Sequence, residues 1–258
     1  MALLWVVPLG LIVGLALGSL GGGGSILTVP ALVYLLGQSP QAATTGSLII
    51  VGLTSLAGTL PHRRKGNVRV TQGLIFGALG IVGSFVGARL AAGVAPEVLM
   101  SAFAGLMFVV GALMIRKVRR AGRGGGSGGS ETGVRPVRLV LAATGVGLLT
   151  GFFGVGGGFA VVPALVLVLG LSMPVAVGTS LLVIAINSAT ALVFRLGSGV
   201  EIDWLVVGAF SVFAVIGSLL GARVTQRISA TTLTKAFIVM LLAVAVYMAV
   251  MNVPTLFG

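Results

Sequence analysis

The chain contains no cysteine, one histidine and four carboxylates in 258 residues. Without thiols it has no disulfide, no thiolate metal site and no cysteine nucleophile. One imidazole and four acids leave little for acid–base catalysis or a metal cluster, and no cofactor motif is present, so an enzyme is not expected. Charge is scarce as well. Asp, Glu, Lys and Arg make up 8% of the residues, against roughly 25% in a soluble domain. Hydrophobic residues reach 57% and mean hydropathy is +1.19. A globule of this size cannot hide so much apolar surface, so the solvent is lipid. The formal net charge of +12 is therefore not a nucleic-acid footprint. Its basic residues sit in loops between apolar runs, where they orient the protein and meet anionic headgroups. Met1–Leu20 lacks a basic start and a convincing cleavage site, and reads as a retained span.

Glycine, by contrast, is abundant at 42 residues, and one glycine cluster occurs twice. Gly18-Ser-Leu-Gly-Gly-Gly-Gly-Ser-Ile-Leu-Thr-Val-Pro-Ala-Leu32 returns as Gly151-Phe-Phe-Gly-Val-Gly-Gly-Gly-Phe-Ala-Val-Val-Pro-Ala-Leu165, 133 residues later. Other identities hold the two copies in register. Gly46-Ser47-Leu48 matches Thr179-Ser180-Leu181, Pro30 matches Pro163, and Gly83-Ser84-Phe-Val-Gly87-Ala88-Arg89 matches Gly217-Ser218-Leu-Leu-Gly221-Ala222-Arg223. The chain is an internal duplication.

About 20 apolar residues cross a bilayer core. By that measure the first half has five segments, at 2–20, 25–36, 40–60, 70–92 and 96–115. The second repeats them at 139–153, 158–170, 174–194, 202–222 and 231–252. The segments that follow the glycines are too short to cross alone. Residues 119–136, rich in Gly, Ser and Arg, form a flexible linker between a first repeat, 1–118, and a second, 137–258. Loop charge orients the halves. Arg63, Arg64, Lys65 and Arg69 follow the third segment of half one, whereas Glu201 and Asp203 outweigh Arg195 at the same point of half two. The bias reverses after the fourth segments. Placing the 62–69 loop, the linker and the 223–235 loop inside puts fourteen of the sixteen basic residues in the cytoplasm. The expected fold is an all-α polytopic membrane protein of two inverted-topology repeats, about five helical segments each, with paired glycine-rich breaks near the midplane. The linker would be cytoplasmic and both termini outside, in a cell inner or plasma membrane. If the first two segments of each half form a re-entrant hairpin, three crossings per half remain and the charge argument still holds.

Paired breaks in corresponding positions of two halves point to a transporter's binding site. The candidates at the clusters are Gly23, Gly24, Ser25, Gly156, Gly157 and Gly158. A half-helix beginning there presents unpaired N–H groups and positive partial charge to an anion; the alternative is close helix packing. Thr45 and Ser47, with Thr179 and Ser180, could add uncharged hydrogen bonds or simply cap helices. Asn187, Thr54 and Ser188 lie further along the same segments, as cavity lining or interhelical glue. Arg195, equivalent to His62, either draws an anion in or snorkels to the interface. The Gly83/Gly87 and Gly217/Gly221 pairs read as small-residue packing faces. The only Asp, Glu or Lys in these segments are Glu97, Asp203 and Lys235, each within the first five residues of its segment, so a buried carboxylate relay is unavailable.

The paired glycine–Pro-Ala-Leu motifs, the Gly178-Thr-Ser-Leu181 stretch and the repeated Gly-Ser-x-x-Gly-Ala-Arg resemble the sulfite exporter TauE/SafE family along nearly the whole chain. That resemblance implies a multi-pass transporter of sulfite, sulfoacetate or related sulfonates. Thr45-Gly46-Ser47 departs from the Gly-Thr-Ser order of the second copy. The expectation is a secondary transporter, an exporter, working by alternating access on a small anion. It would sit in the lipid bilayer with no nucleic-acid partner and no cofactor, and a homodimer is allowed. A passive anion channel and a non-transporting membrane scaffold are the alternatives.

Overall fold

The computed structural model describes residues 2–91, 93–94, 96–122, 136–153, 158–195 and 200–257. Those residues form helices and connecting turns, with no strand among them. In lipid the backbone must satisfy its own polar groups, and a helix does so within one segment. The helices are α1 (Ala2–Leu20), α2 (Gly23–Pro30), α3 (Pro40–Arg64), α4 (Val70–Ala91), α5 (Pro96–Gly122), α6 (Pro136–Phe153), α7 (Gly158–Leu167), α8 (Met173–Arg195), α9 (Trp204–Arg227) and α10 (Ala230–Phe257). A π-helical turn, Ala31–Leu35, continues α2 beyond Pro30. Among the described residues seven helices contain a stretch long and apolar enough to cross a membrane: α3, α4, α5, α6, α8, α9 and α10. The chain is an all-α polytopic membrane protein. Its lipid-facing belt is apolar, with Phe85, Leu141 and Phe194 at least 63% exposed, a surface that water would not tolerate but hydrocarbon covers.

The sequence marks the helix ends. Ser39 caps α3, its Oγ accepting from Ala42 N at 3.2 Å with Pro40 next in line. Asp203 caps α9, Oδ1 accepting from Leu205 N and Val206 N at 3.1 Å each. The short helices end alike. Gln38 N donates to Leu32 O and Leu171 N to Leu165 O, both at 3.0 Å, around the positive-φ glycines Gly37 and Gly170. Several segments outrun their expected ends: α5 continues to Gly122, α9 to Arg227 and α10 to Phe257. The third segment extends to Arg64, which brings His62 out of the expected loop and into the helix.

Small residues set the helix–helix contacts. On α1 and α9, a Cβ at Gly14 would overlap Ala214 and one at Gly18 would overlap the Ser218 carbonyl. On α4 and α6, a Cβ at Gly147 would overlap Gly80 and one at Gly151 the Ser84 carbonyl. The Gly83/Gly87 and Gly217/Gly221 pairs lie in these two interfaces, against Leu148 and Leu15, as packing faces. Equivalent positions thus make equivalent contacts, exchanged between the halves.

The contact registers give helix directions. Numbering rises together between α1 and α9, between α3 and α9 (Gly46 on Val207, Gly58 on Ser218) and between α4 and α8 (Gly73 on Leu182, Gly77 on Ile186). It also rises together between α4 and α6. It runs oppositely between α3 and α8, where Gly52 meets Ser188 and Gly58 meets Leu181. So α1, α3 and α9 point one way and α4, α6 and α8 the other. Phe103, Phe153 and Phe159 join α5, α6 and α7, with ring centroids 5.3 and 4.7 Å from Phe103. Lys117 Nζ of α5 donates to the Val166 carbonyl at the end of α7.

Gly151→Ala should lower stability in detergent by about 1–3 kcal/mol, because two backbones must separate to admit the methyl. Gly145→Ala on the same helix has nothing within 4 Å of the new Cβ and should be neutral or gain up to about 1 kcal/mol from helix propensity. Equal melting points for the two variants would show that the glycines do not set helix spacing.

Candidate functional site at the paired helix breaks

At the end of α1, Gly21 takes φ +72°, a backbone conformation that glycine adopts at little cost. The chain reverses there, and α2 packs back along α1, with Gly24 against Val13 O and Leu17. A break inside the protein strands the last carbonyls of α1 away from water. Side chains from other helices take two of them. His62 Nε2 donates to Gly18 O at 3.0 Å, and Thr225 Oγ1 donates to Ser19 O at 3.0 Å. A carbonyl only accepts, so His62 Nε2 carries the proton.

The starts of the two short helices then meet. A Cβ on Gly22 would overlap the Gly158 carbonyl. One on Gly158 would overlap the Ser25 hydroxyl and come within 3.1 Å of Gly22 Cα and O. Ser25 Oγ itself donates to Gly22 O at 2.7 Å. Two helix N-termini so placed direct positive partial charge at one point, which favours an anion. The contact leaves no room for a methyl group, so an anion can enter between Gly22 and Gly158 only after the helices part.

The expected site residues fall into separate groups. Ser25 and Gly158 lie at this junction, and Ser180 lies beside it, its Oγ against Gly21. Thr45 lies at the far end of α3, where Arg195 Nη1 donates to Thr44 Oγ1 at 2.9 Å and Thr45 Oγ1 at 3.0 Å. Ser47 is next to this group along α3. Thr179 is at the other end, its Oγ1 accepting from Arg69 N at 3.1 Å. Because α3 and α8 are antiparallel, the seventeen residues from Thr45 to His62, which packs on Gly178, separate these groups by about 25 Å. Gly23 packs on Met240 and Gly24 on α1. Gly156 and Gly157 lie outside the described residues.

Hydroxyl chemistry narrows the roles further. Thr45 donates to Gln41 O at 3.0 Å, Ser47 to Thr44 O at 2.8 Å and Ser180 to Val177 O at 2.8 Å. Each spends its proton on its own helix and must rotate to serve a ligand. Unspent capacity lies elsewhere. Asn187 Oδ1, Thr54 Oγ1, Ser55 Oγ and Gln72 Oε1 are buried without a hydrogen-bond partner. Asn187 and Thr54 share a level in the middle of the α3–α8 pair. Ser55 and Gln72 are missed by sequence reasoning: a serine beside a threonine in an apolar run gives no hint of which way each side chain faces.

The junction has a specific signature. Gly22→Ala clashes with backbone, and should cost more stability than Gly158→Ala, which clashes mainly with the Ser25 hydroxyl. Adding Ser25→Ala to Gly158→Ala should recover about 0.5–2 kcal/mol in a double-mutant cycle read by thermal unfolding. Strict additivity would mean that the two helix starts do not touch.

Residues 6–248 match the family model described as Sulfite exporter TauE/SafE. A probable membrane transporter protein of Xylella fastidiosa is 33% identical over 255 residues, covering 95% of this chain and 94% of that protein. Probable membrane transporter protein YdhB of Bacillus subtilis is 29% identical, covering 87% and 91%. A probable membrane transporter protein of Methanocaldococcus jannaschii is 34% identical, covering 88% and 89%. No solved structure matches the chain. The duplicated glycine motif, the seven long apolar helices among the described residues and these matches over most of the chain lead to one conclusion: the chain belongs to the TauE/SafE family of membrane transporters.

Proposed function

We propose that the protein is a secondary transporter, working as an exporter, of a small sulfur-containing anion such as sulfite, sulfoacetate or a related sulfonate. The observation that carries this reading is the meeting of two half-helix starts at Gly22 and Gly158. It offers an anion backbone dipoles without a fixed charge, so the ligand is held without being trapped. The family description supports a sulfur oxyanion. In this proposal residues 1–118 and 137–258 are inverted repeats joined by a cytoplasmic linker. The opposite directions of α1 and α6, of α3 and α8, and of α4 and α9 support the inversion. Alternating access then consists of one repeat rocking against the other around the junction. The closed Gly22–Gly158 contact favours a gated carrier over an open anion channel. Thr45, Ser47 and Arg195 at one end, and Thr179 and Ser180 at the other, would meet the anion on its way in or out.

The test is flux of sulfite and of sulfoacetate in proteoliposomes, alongside thermal unfolding with each anion at matched ionic strength. Saturable flux and a raised melting point are expected, the latter by about 2.7 kcal/mol of stabilisation at a hundredfold excess over Kd. Gly22→Ala should cut flux at least about tenfold, equivalent to about 1.4 kcal/mol of barrier, while Gly145→Ala should retain it. Full transport by a folded Gly22→Ala variant would remove the junction from the mechanism. A flat response to every anion would favour the scaffold.

A further inference from the structure

His62 is the chain's single histidine, and it is fully buried in the last turn of α3. Its Nε2 donates to Gly18 O, the carbonyl that would accept from the Gly22 amide in an uninterrupted helix. The ring therefore ties the end of α3 to the α1 break, one turn before the Gly22–Gly158 contact. On its other side, its Cβ lies 2.9 Å from where a Cβ on Gly178 would be. This packing fixes the ring against the start of α8. Nδ1 of the same ring is buried and has no hydrogen-bond partner. In the neutral form Nδ1 is an acceptor; on protonation it becomes a second donor.

Among the described residues the charges around this ring have one sign. On α3 and the turn after it stand Arg63, Arg64, Lys65 and Arg69. From α9, Arg223 lines one groove with Pro61 and Arg64, and Arg227 is one turn beyond. No titratable side chain occurs in α1 or α2, and Tyr34 in the π-helical turn lies near the opposite end of α3. On α8 the only charge is Arg195, also at the opposite end. Glu201 and Asp203 precede α9 at its far end, about 30 Å along that helix from Thr225, and Glu97 opens α5 past the far end of α4. Among the described residues an imidazolium here has neither an acceptor for Nδ1 nor a counter-charge. An anion at the neighbouring break would supply the counter-charge.

We infer that His62 is a proton-binding site coupled to the anion: a proton at Nδ1 and an anion at the Gly22–Gly158 break bind together and cross in the same direction. The inference rests on the anion-transport reading above but not on its export direction: it adds the coupling ion, and an inward proton gradient would then drive the anion inward. Reciprocity makes each ligand strengthen the other's binding by the same factor. The closed conformation, with Nδ1 unpartnered, belongs to the anion-free, deprotonated protein.

Because there is one histidine, 15N-histidine labelling of the full chain, purified without a polyhistidine tag, reports His62 alone. The probes are sulfoacetate and thiosulfate, whose charge does not change near neutral pH. Without anion the spectrum should show the neutral Nε2–H tautomer. With anion the imidazolium signal should persist to higher pH, and anion affinity should rise by up to about tenfold per pH unit as pH falls. In proteoliposomes an imposed proton gradient should drive uptake of the same anion. His62→Gln keeps a donor for Gly18 O but cannot take a second proton, so its ratio of gradient-driven uptake to anion exchange should fall at least about tenfold. An anion that binds or moves while the His62 spectrum and the ratio stay unchanged overturns the proton site and leaves the transport reading standing. If neither anion binds nor moves, the transport reading fails and the coupling falls with it.

Discussion

Everything in this fold answers to one constraint: a backbone N–H or C=O within hydrocarbon must find its partner inside the protein. Unbroken helices meet it automatically. The chain departs from them at the first glycine cluster, and the rest of the described structure supplies partners for the groups stranded there. The carbonyls stranded at the end of α1 are taken by His62 from α3 and Thr225 from α9. Lys117 from α5 serves the end of α7 in the same way. Three different helices thus contribute polar atoms to carbonyls at the ends of α1 and α7.

Close packing makes those reaches possible. Thr225 can touch Ser19 only because α1 and α9 approach until Gly18 meets the Ser218 carbonyl and Gly221 meets Leu15. The α4–α6 contact does the same in the other half. Without a hydrophobic drive between helices in lipid, such small-residue contacts supply the dispersion energy of association. The glycines therefore have two distinct jobs. Gly14, Gly18, Gly147 and Gly151 allow helices to touch, whereas Gly21 turns the chain and Gly22 and Gly158 let two helix starts meet. A cluster read as a single motif divides, residue by residue, into packing and break.

The halves are alike in plan but not in chemistry. His62 and Arg195 occupy equivalent places, yet one is buried against a glycine and bonded to a main-chain carbonyl, and the other is exposed and bonded to two threonine hydroxyls. Their partners explain the difference. Gly178 leaves space for a ring, and its equivalent Thr45 offers an oxygen to a guanidinium. A duplicated frame thus carries two different polar contacts at its two ends.

The sequence by itself determined the environment, the helical class, the duplication and the places where helices break. These follow from composition, segment length and the need for glycine at a reversal, all properties local in the chain. The helix starts at Ser39 and Asp203 are set by a side-chain acceptor beside an apolar run. Tertiary structure alone decided which candidate residues share a place. Thr45 and Thr179 fall one position apart in the two copies of the repeat but stand at opposite ends of an antiparallel helix pair. In the sequence His62 opens a basic loop beside Arg63 and Arg64 at the end of the third segment, and only the approach of α1 and α8 buries it. Spacing along a helix fixes height and face, but which neighbour fills that face depends on contacts between segments more than a hundred residues apart, such as Arg69 with Thr179.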